Sequence, residues 1–156
     1  EMRVLFPGIT IPNAISFAPD GTTAYFCDTT EQVIRRVRLD ADGWPTGDSA
    51  VHVDLRGTDF WPDGAVVDAA GNLWNAQWGA SRVAVYDLAG RQIDAVPFPA
   101  AQTACPAFGG AGMRTLFCTS AAAGLSQDHL VGHPDTGRTF AVEVAATGQA
   151  EHRVIL

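Results

Sequence analysis

The sequence contains no lysine. Its ten basic residues are all arginine, set against 17 acidic ones, for a net charge of −7 over 156 residues. The arginines are scattered, and their densest run is Arg35-Arg36-x-Arg38. A nucleic-acid binder needs a basic face, so that class is disfavoured. No apolar run approaches the ~18 residues of a membrane span, and no transmembrane helix is expected. Cysteine is scarce: Cys27, Cys105 and Cys118 are an odd number, at spacings that fit neither a disulfide framework nor a zinc motif. Cys27 and Cys118 lie in apolar, strand-like runs and read as core thiols, which points to a reducing, cytoplasmic compartment. Charged residues make up only 17% of the chain and hydrophobic ones 47%, a balance that rules out intrinsic disorder. Helical periodicity is also missing. The one candidate, residues 121–131, has glycine-bounded ends and a Ser-Gln-Asp tract and reads as a loop.

Several motifs are absent too. There is no P-loop and no nucleophile elbow, and Gly109-Gly110-Ala111-Gly112 lacks the spacing of a dinucleotide fingerprint. His129 and His133 are four apart, but no glutamate follows His129, and Pro134 disfavours helix at His133. They read as a loop pair. Cys105 has no evident base beside it.

What the chain has is glycine, proline and an internal repeat. Pro12-Asn13-Ala14-Ile15-Ser16-Phe17-Ala18-Pro19-Asp20-Gly21 recurs without a gap as Pro62-Asp63-Gly64-Ala65-Val66-Val67-Asp68-Ala69-Ala70-Gly71. Each copy continues with a second apolar run, Ala24 to Asp28 and Leu73 to Gln77, and a third, Val33 to Leu39 and Arg82 to Asp87. A fainter third copy begins near Cys105 and includes Thr115-Leu116-Phe117-Cys118-Thr119-Ser120. It closes on a strand pair, Arg138 to Val144 and His152 to Leu156. Units of about 40 to 50 residues, built of short strands between Asp/Gly turns, predict propeller blades of about four strands each. The expected fold is all-β: about three blades, approximately 1–57, 58–100 and 101–156, of a six-bladed β-propeller. Three blades do not close a ring, so a missing half or a second copy of the chain is expected to complete it.

In a propeller the first strand of each blade lines the central channel. Residues in the same slot of different blades therefore converge on one end of the axis. Asn13 and Asp63 occupy such a slot and offer an amide oxygen and a carboxylate, the donors that hard cations prefer. The same residues after proline also suit turn capping, and both readings fit the sequence. Asp28 and Asp68, near strand ends, read as turn-bonding. Trp74 reads as core, Trp61 as a flank of a central pocket, and Trp78 as a rim residue.

These segments resemble the gluconolactonase/regucalcin (senescence marker protein) family. The resemblance lies in Ile11-Pro12-Asn13 to Asp20-Gly21, in Pro62-Asp63-Gly64 to Gly71-Asn72-Leu73-Trp74, in Phe108-Gly109-Gly110 with Leu116-Phe117-x-Thr119-Ser120, and in Gly148-Gln149-x-Glu151-x-Arg153. It implies a six-bladed propeller with one axial divalent ion that hydrolyses sugar lactones, a small-molecule substrate class. It implies Asn13 and Asp63 as metal ligands, Asp63 also as the catalytic proton acceptor, and a third ligand, a glutamate, in an N-terminal half that lies outside this sequence. Ca²⁺, Zn²⁺, Mn²⁺, Mg²⁺ and Fe²⁺ all suit such donors. A non-catalytic ion-binding half-propeller and a related small-ester or phosphotriester hydrolase are the alternatives. The family's glycine after the Asn is Ala14 here, a mild change where the backbone has negative φ.

Overall fold

The computed structural model describes residues 2–151. It contains three antiparallel sheets. The first runs β1 (Pro12–Phe17), β2 (Thr23–Asp28), β3 (Val33–Leu39) and β4 (Pro45–Asp54) in sequence order. The second repeats this with β5 (Trp61–Val67), β6 (Leu73–Trp78), β7 (Arg82–Tyr86) and β8 (Gln92–Pro97). The third holds β9 (Thr103–Gly109), β10 (Thr115–Ser120) and β11 (Thr139–Glu143), with β10 in the middle. The expected final strand at 152–156 lies outside the described residues.

The hairpins share one turn chemistry. Asp40, Asp68 and Asp87 each accept two backbone N–H bonds through Oδ1, from the residues two and four positions on, at 2.8–3.0 Å. The glycine three positions on (Gly43, Gly71, Gly90) takes a positive φ. Asp followed by Gly is thus a self-contained turn. Gly90 has a second reason to be glycine: a Cβ there would collide with the carbonyl oxygen of His52 on β4, so this turn of the second sheet is seated against the first.

The core lies between the sheets. Tyr25, Cys27, Ile34, Val53 and Leu55 of the first sheet and its flank pack against Val67, Leu73, Ala84 and Tyr86 of the second. The opposite face of the second sheet sends Val66, Trp74, Ala76, Val83 and Val85 against Leu116 and Cys118 of the third. The middle sheet is therefore covered on both faces, which is why β6 and β7 bury successive residues, the polar Asn75 and Gln77 among them. β10 is covered on one face and alternates instead, with Leu116 and Cys118 buried and Phe117 exposed. The outward face of the first sheet carries Ile15 and Phe17, both exposed. Residues 4–9 lie across part of it, with Phe6 stacked on Phe26 at 4.2 Å, and enclose an apolar groove.

Two expectations need correction. Residues 121–131 are not wholly loop: a short helix, α1 (Gln127–Gly132), is capped by the Ser126 hydroxyl, which accepts the His129 N–H at 3.2 Å. It has six residues and buries none of them, so no apolar period could announce it. His133 closes this helix rather than lying in an open loop, and its ring stacks on that of His129. The second correction is at Ala14, whose φ is +56°. The backbone there does need the left-handed region, and an alanine in it carries ~1–2 kcal/mol of strain.

His52 supplies a test of the packing. It is buried beside Tyr25, and among the described residues neither ring nitrogen has a hydrogen-bond partner. Burial, aided by Arg36 and opposed by Asp87, lowers its pKa from 6.5 to about 4. A base that is neutral when folded and protonated when unfolded stabilises fully above its unfolded pKa and loses that contribution as pH falls. The urea midpoint should therefore drop between pH 6.5 and 4, and His52→Phe should flatten that part of the profile.

Candidate functional site: an axial cavity between the first two blades

β1 and β5, the first strands of their sheets, run side by side. Each carries a register shift after its polar residue, between Asn13 and Ser16 in β1 and between Pro62 and Ala65 in β5. A β-bulge of this kind re-aims a side chain that would otherwise alternate with its neighbours. In β1 the bulge uses Ala14 at positive φ. In β5 it uses Gly64, where a Cβ would run into Ala104 and Cys105 of β9, so the third first strand presses directly on the second. Asn75 on β6, fully buried, holds the β5 bulge by directing Nδ2 at the carbonyls of Asp63 (3.2 Å) and Gly64 (3.1 Å).

The two bulges open onto one cavity of about 450 Å³. Asn13, Thr29 and Thr30 line it from the first blade, with Ile11 beside them, and Asp63 lines it from the second. Trp61 and Trp78, paired across β5 and β6, form an aromatic wall. The sequence expectation for Trp61 and Trp78 is met, and so is that for Trp74, which is buried with its indole donating to Asp68 at 2.9 Å. None of the described residues lining the cavity is basic. Asp63 is half-buried, and burial pushes its carboxyl pKa up, with the Gly64 N–H pulling the other way.

Asn13 is held by a chain of hydrogen bonds that crosses from one blade to the other. Its Nδ2 donates to Thr29 Oγ1 at 2.9 Å, and that hydroxyl donates to the carbonyl of Pro62, also at 2.9 Å. Thr29 sits in the 3-10 turn Thr29–Glu31. Asp28 caps that turn by accepting from Thr30 N (3.1 Å) and Thr30 Oγ1 (2.8 Å). The same carboxylate takes the N–H groups of Thr10 (2.6 Å) and Ile11 (3.1 Å), so it fixes the approach to β1 as well. These bonds, led by that from Thr10, hold the Asp28 carboxyl well below the usual carboxylate range. Thr29 and Asn75 were not singled out by sequence. Thr29 follows the Tyr-x-x-Asp of the repeat, and that adjacency is the one signal it left.

Other candidates stay outside this arrangement. Cys105 is exposed, and burial of its sulfur together with the charge of Asp63 pushes its thiol up, away from a thiolate. His129 is on α1 and His133 closes it, and neither lines the cavity.

The donors suit a hard divalent cation in kind. Asn13 and Asp63 offer oxygens, and the half-buried carboxylate has no basic neighbour lining the cavity to offset its charge. By themselves they do not complete a coordination set: among the described residues no group of three or more His, Cys, Asp or Glu is placed to hold an ion.

Stacked antiparallel meanders whose first strands lie side by side define the blades of a β-propeller. The chain belongs to the family described as the SMP-30/Gluconolactonase/LRE-like region, whose model matches residues 1–122. It is 40% identical over 154 residues to an L-arabinolactonase of Azospirillum brasilense, covering 97% of this chain and 49% of that one. It is 35% identical over 149 residues to a 6-deoxy-6-sulfogluconolactonase of Pseudomonas putida, covering 96% and 51%. Among solved structures, a calcium-binding protein, regucalcin, from Agrobacterium tumefaciens strain C58 superposes with a TM-score of 0.91 at 44% identity, over 94% of this chain and 50% of that one. The chain thus spans about half the length of the curated relatives it matches.

Asn75→Ala should destabilise the fold by about 1–3 kcal/mol, because it leaves two part-buried bulge carbonyls without their donor. Urea unfolding measures this, and an unchanged midpoint would show that the bulge does not depend on Asn75.

Proposed function

We propose that this chain contributes one half of a sugar-lactone hydrolase and that Asn13 and Asp63 are two of the ligands of its divalent cation. The observation that carries the reading is the meeting of Asn13 and Asp63, from corresponding slots of two blades, in one cavity walled by Trp61 and Trp78. The relatives named for lactone hydrolysis support it. The ion, when bound, supplies Lewis-acid polarisation of the lactone carbonyl and offsets the oxyanion charge that develops there.

The chain's own groups have separate tasks in this reading. Asn13 donates an oxygen without adding charge, so the site stays electrophilic. Asp63 takes the proton from the attacking water. Trp61 and Trp78 offer flat apolar surface to the carbon face of a sugar ring and keep the ring within reach of Asp63. The remaining cation ligand and the groups that read the substrate hydroxyls come from the part of the ring absent here, the N-terminal half of a longer protein or a second copy.

Hydrolysis of glucono- and arabinono-lactones by the completed ring, followed by acid release, tests this. Asp63→Ala should reduce turnover by at least 10³-fold, and chelation of divalent ions should do the same. Wild-type turnover in Asp63→Ala would sink the assignment. Cation binding by the ring with no lactone turnover would favour the non-catalytic alternative.

A further inference from the structure

We infer that Thr29 is a positioning residue: by spending its single proton on the carbonyl of Pro62, it forces the Asn13 amide to turn its oxygen, not its nitrogen, into the axial cavity. This rests on the reading of Asn13 as a cation ligand and says what makes it one.

The argument is a count of protons. The Pro62 carbonyl can only accept, so the 2.9 Å contact commits the Thr29 hydroxyl proton to it. The Thr29 oxygen is then left with lone pairs and can only accept. Its 2.9 Å neighbour on Asn13 must be the NH₂ end, because an amide turned the other way would set lone pair against lone pair. Oδ1 is the end that remains for the cavity. Cys27 does not upset the count. Its sulfur lies 3.9 Å from the Pro62 carbonyl and 4.0 Å from the Thr29 hydroxyl, long contacts of a weak donor that do not displace the 2.9 Å bonds.

The device also spans the blades. Thr29 belongs to the first and Pro62 to the second, one residue before Asp63. Orientation of one ligand is therefore tied to the placement of the strand that carries the other. Asp28 secures the turn from below by capping Thr30.

The test is a double-mutant comparison with Ca²⁺ alone as the probe, read by calorimetric titration. Thr29→Val should weaken Ca²⁺ binding about tenfold or more, and Thr29→Ser, which keeps the hydroxyl, should restore it to within about twofold of the wild type. In an Asn13→Asp background Thr29→Val should have little effect, since a carboxylate carries oxygen at both ends and needs no orienting. Equal losses in both backgrounds would make Thr29 merely structural and overturn the proposal. A cation-free measurement stands beside it: in ¹⁵N-edited spectra the Asn13 side-chain NH₂ should show an Overhauser contact to Thr29. Absence of that contact would overturn the orientation whatever the titrations show. If the contact is present but Asn13→Ala binds Ca²⁺ as the wild type does, the ligand reading falls and takes the role of Thr29 with it.

Discussion

A sheet covered on both faces must bury successive residues, and it must be met by a neighbour on each side. The second sheet satisfies both conditions. Val66 and Val67 face opposite ways into two different cores, as do Leu73 and Trp74. Everything near the axis depends on this stacking. It brings β1, β5 and β9 close enough that Gly64 has no room for a side chain against Ala104 and Cys105. It also seats the Gly90 turn on His52. β1 of the first sheet and β10 of the third have one face turned away from the cores, and these strands alternate in consequence.

Within that frame the site is made by exceptions to strand regularity. The two bulges interrupt the pairing of β1 and β5 at the residues that must face the axis. The β5 interruption is held by the buried side chain of Asn75, while Asp28 anchors the approach to β1 and the turn beside it. Ala14 adopts a left-handed backbone without being glycine, so the bulge in β1 is held by its surroundings rather than by local preference.

Much of this was legible in the sequence. The repeat gave the blade period, the apolar runs marked the three inner strands of each full blade, and the slot shared by Asn13 and Asp63 pointed to a common place on the axis. The fourth strands were not legible. β4 reads Pro-Thr-Gly-Asp-Ser-Ala-Val-His-Val-Asp and β8 reads Gln-Ile-Asp-Ala-Val-Pro, and as outer-edge strands they are largely solvent-facing, so neither shows a clean period. The short helix at 127–132 was hidden for the same reason. Thr29 and Asn75 were hidden differently. Their contribution is a hydrogen bond to backbone in another strand or another blade, and single-residue chemistry leaves no mark of such a partner in the sequence.

The pairing of Asn13 with Asp63 has a mechanical consequence. The two side chains stand on different blades, and the Thr29–Pro62 bond is the short strut between them. Their separation is therefore a property of how the blades lean on each other. Ile34 and Leu73 lie in the packing layer between the first two sheets, so the fit of that layer bears on how one blade leans on the other. The core between these blades works as the calibration of the site, and selection for its function would reach residues that never touch a ligand.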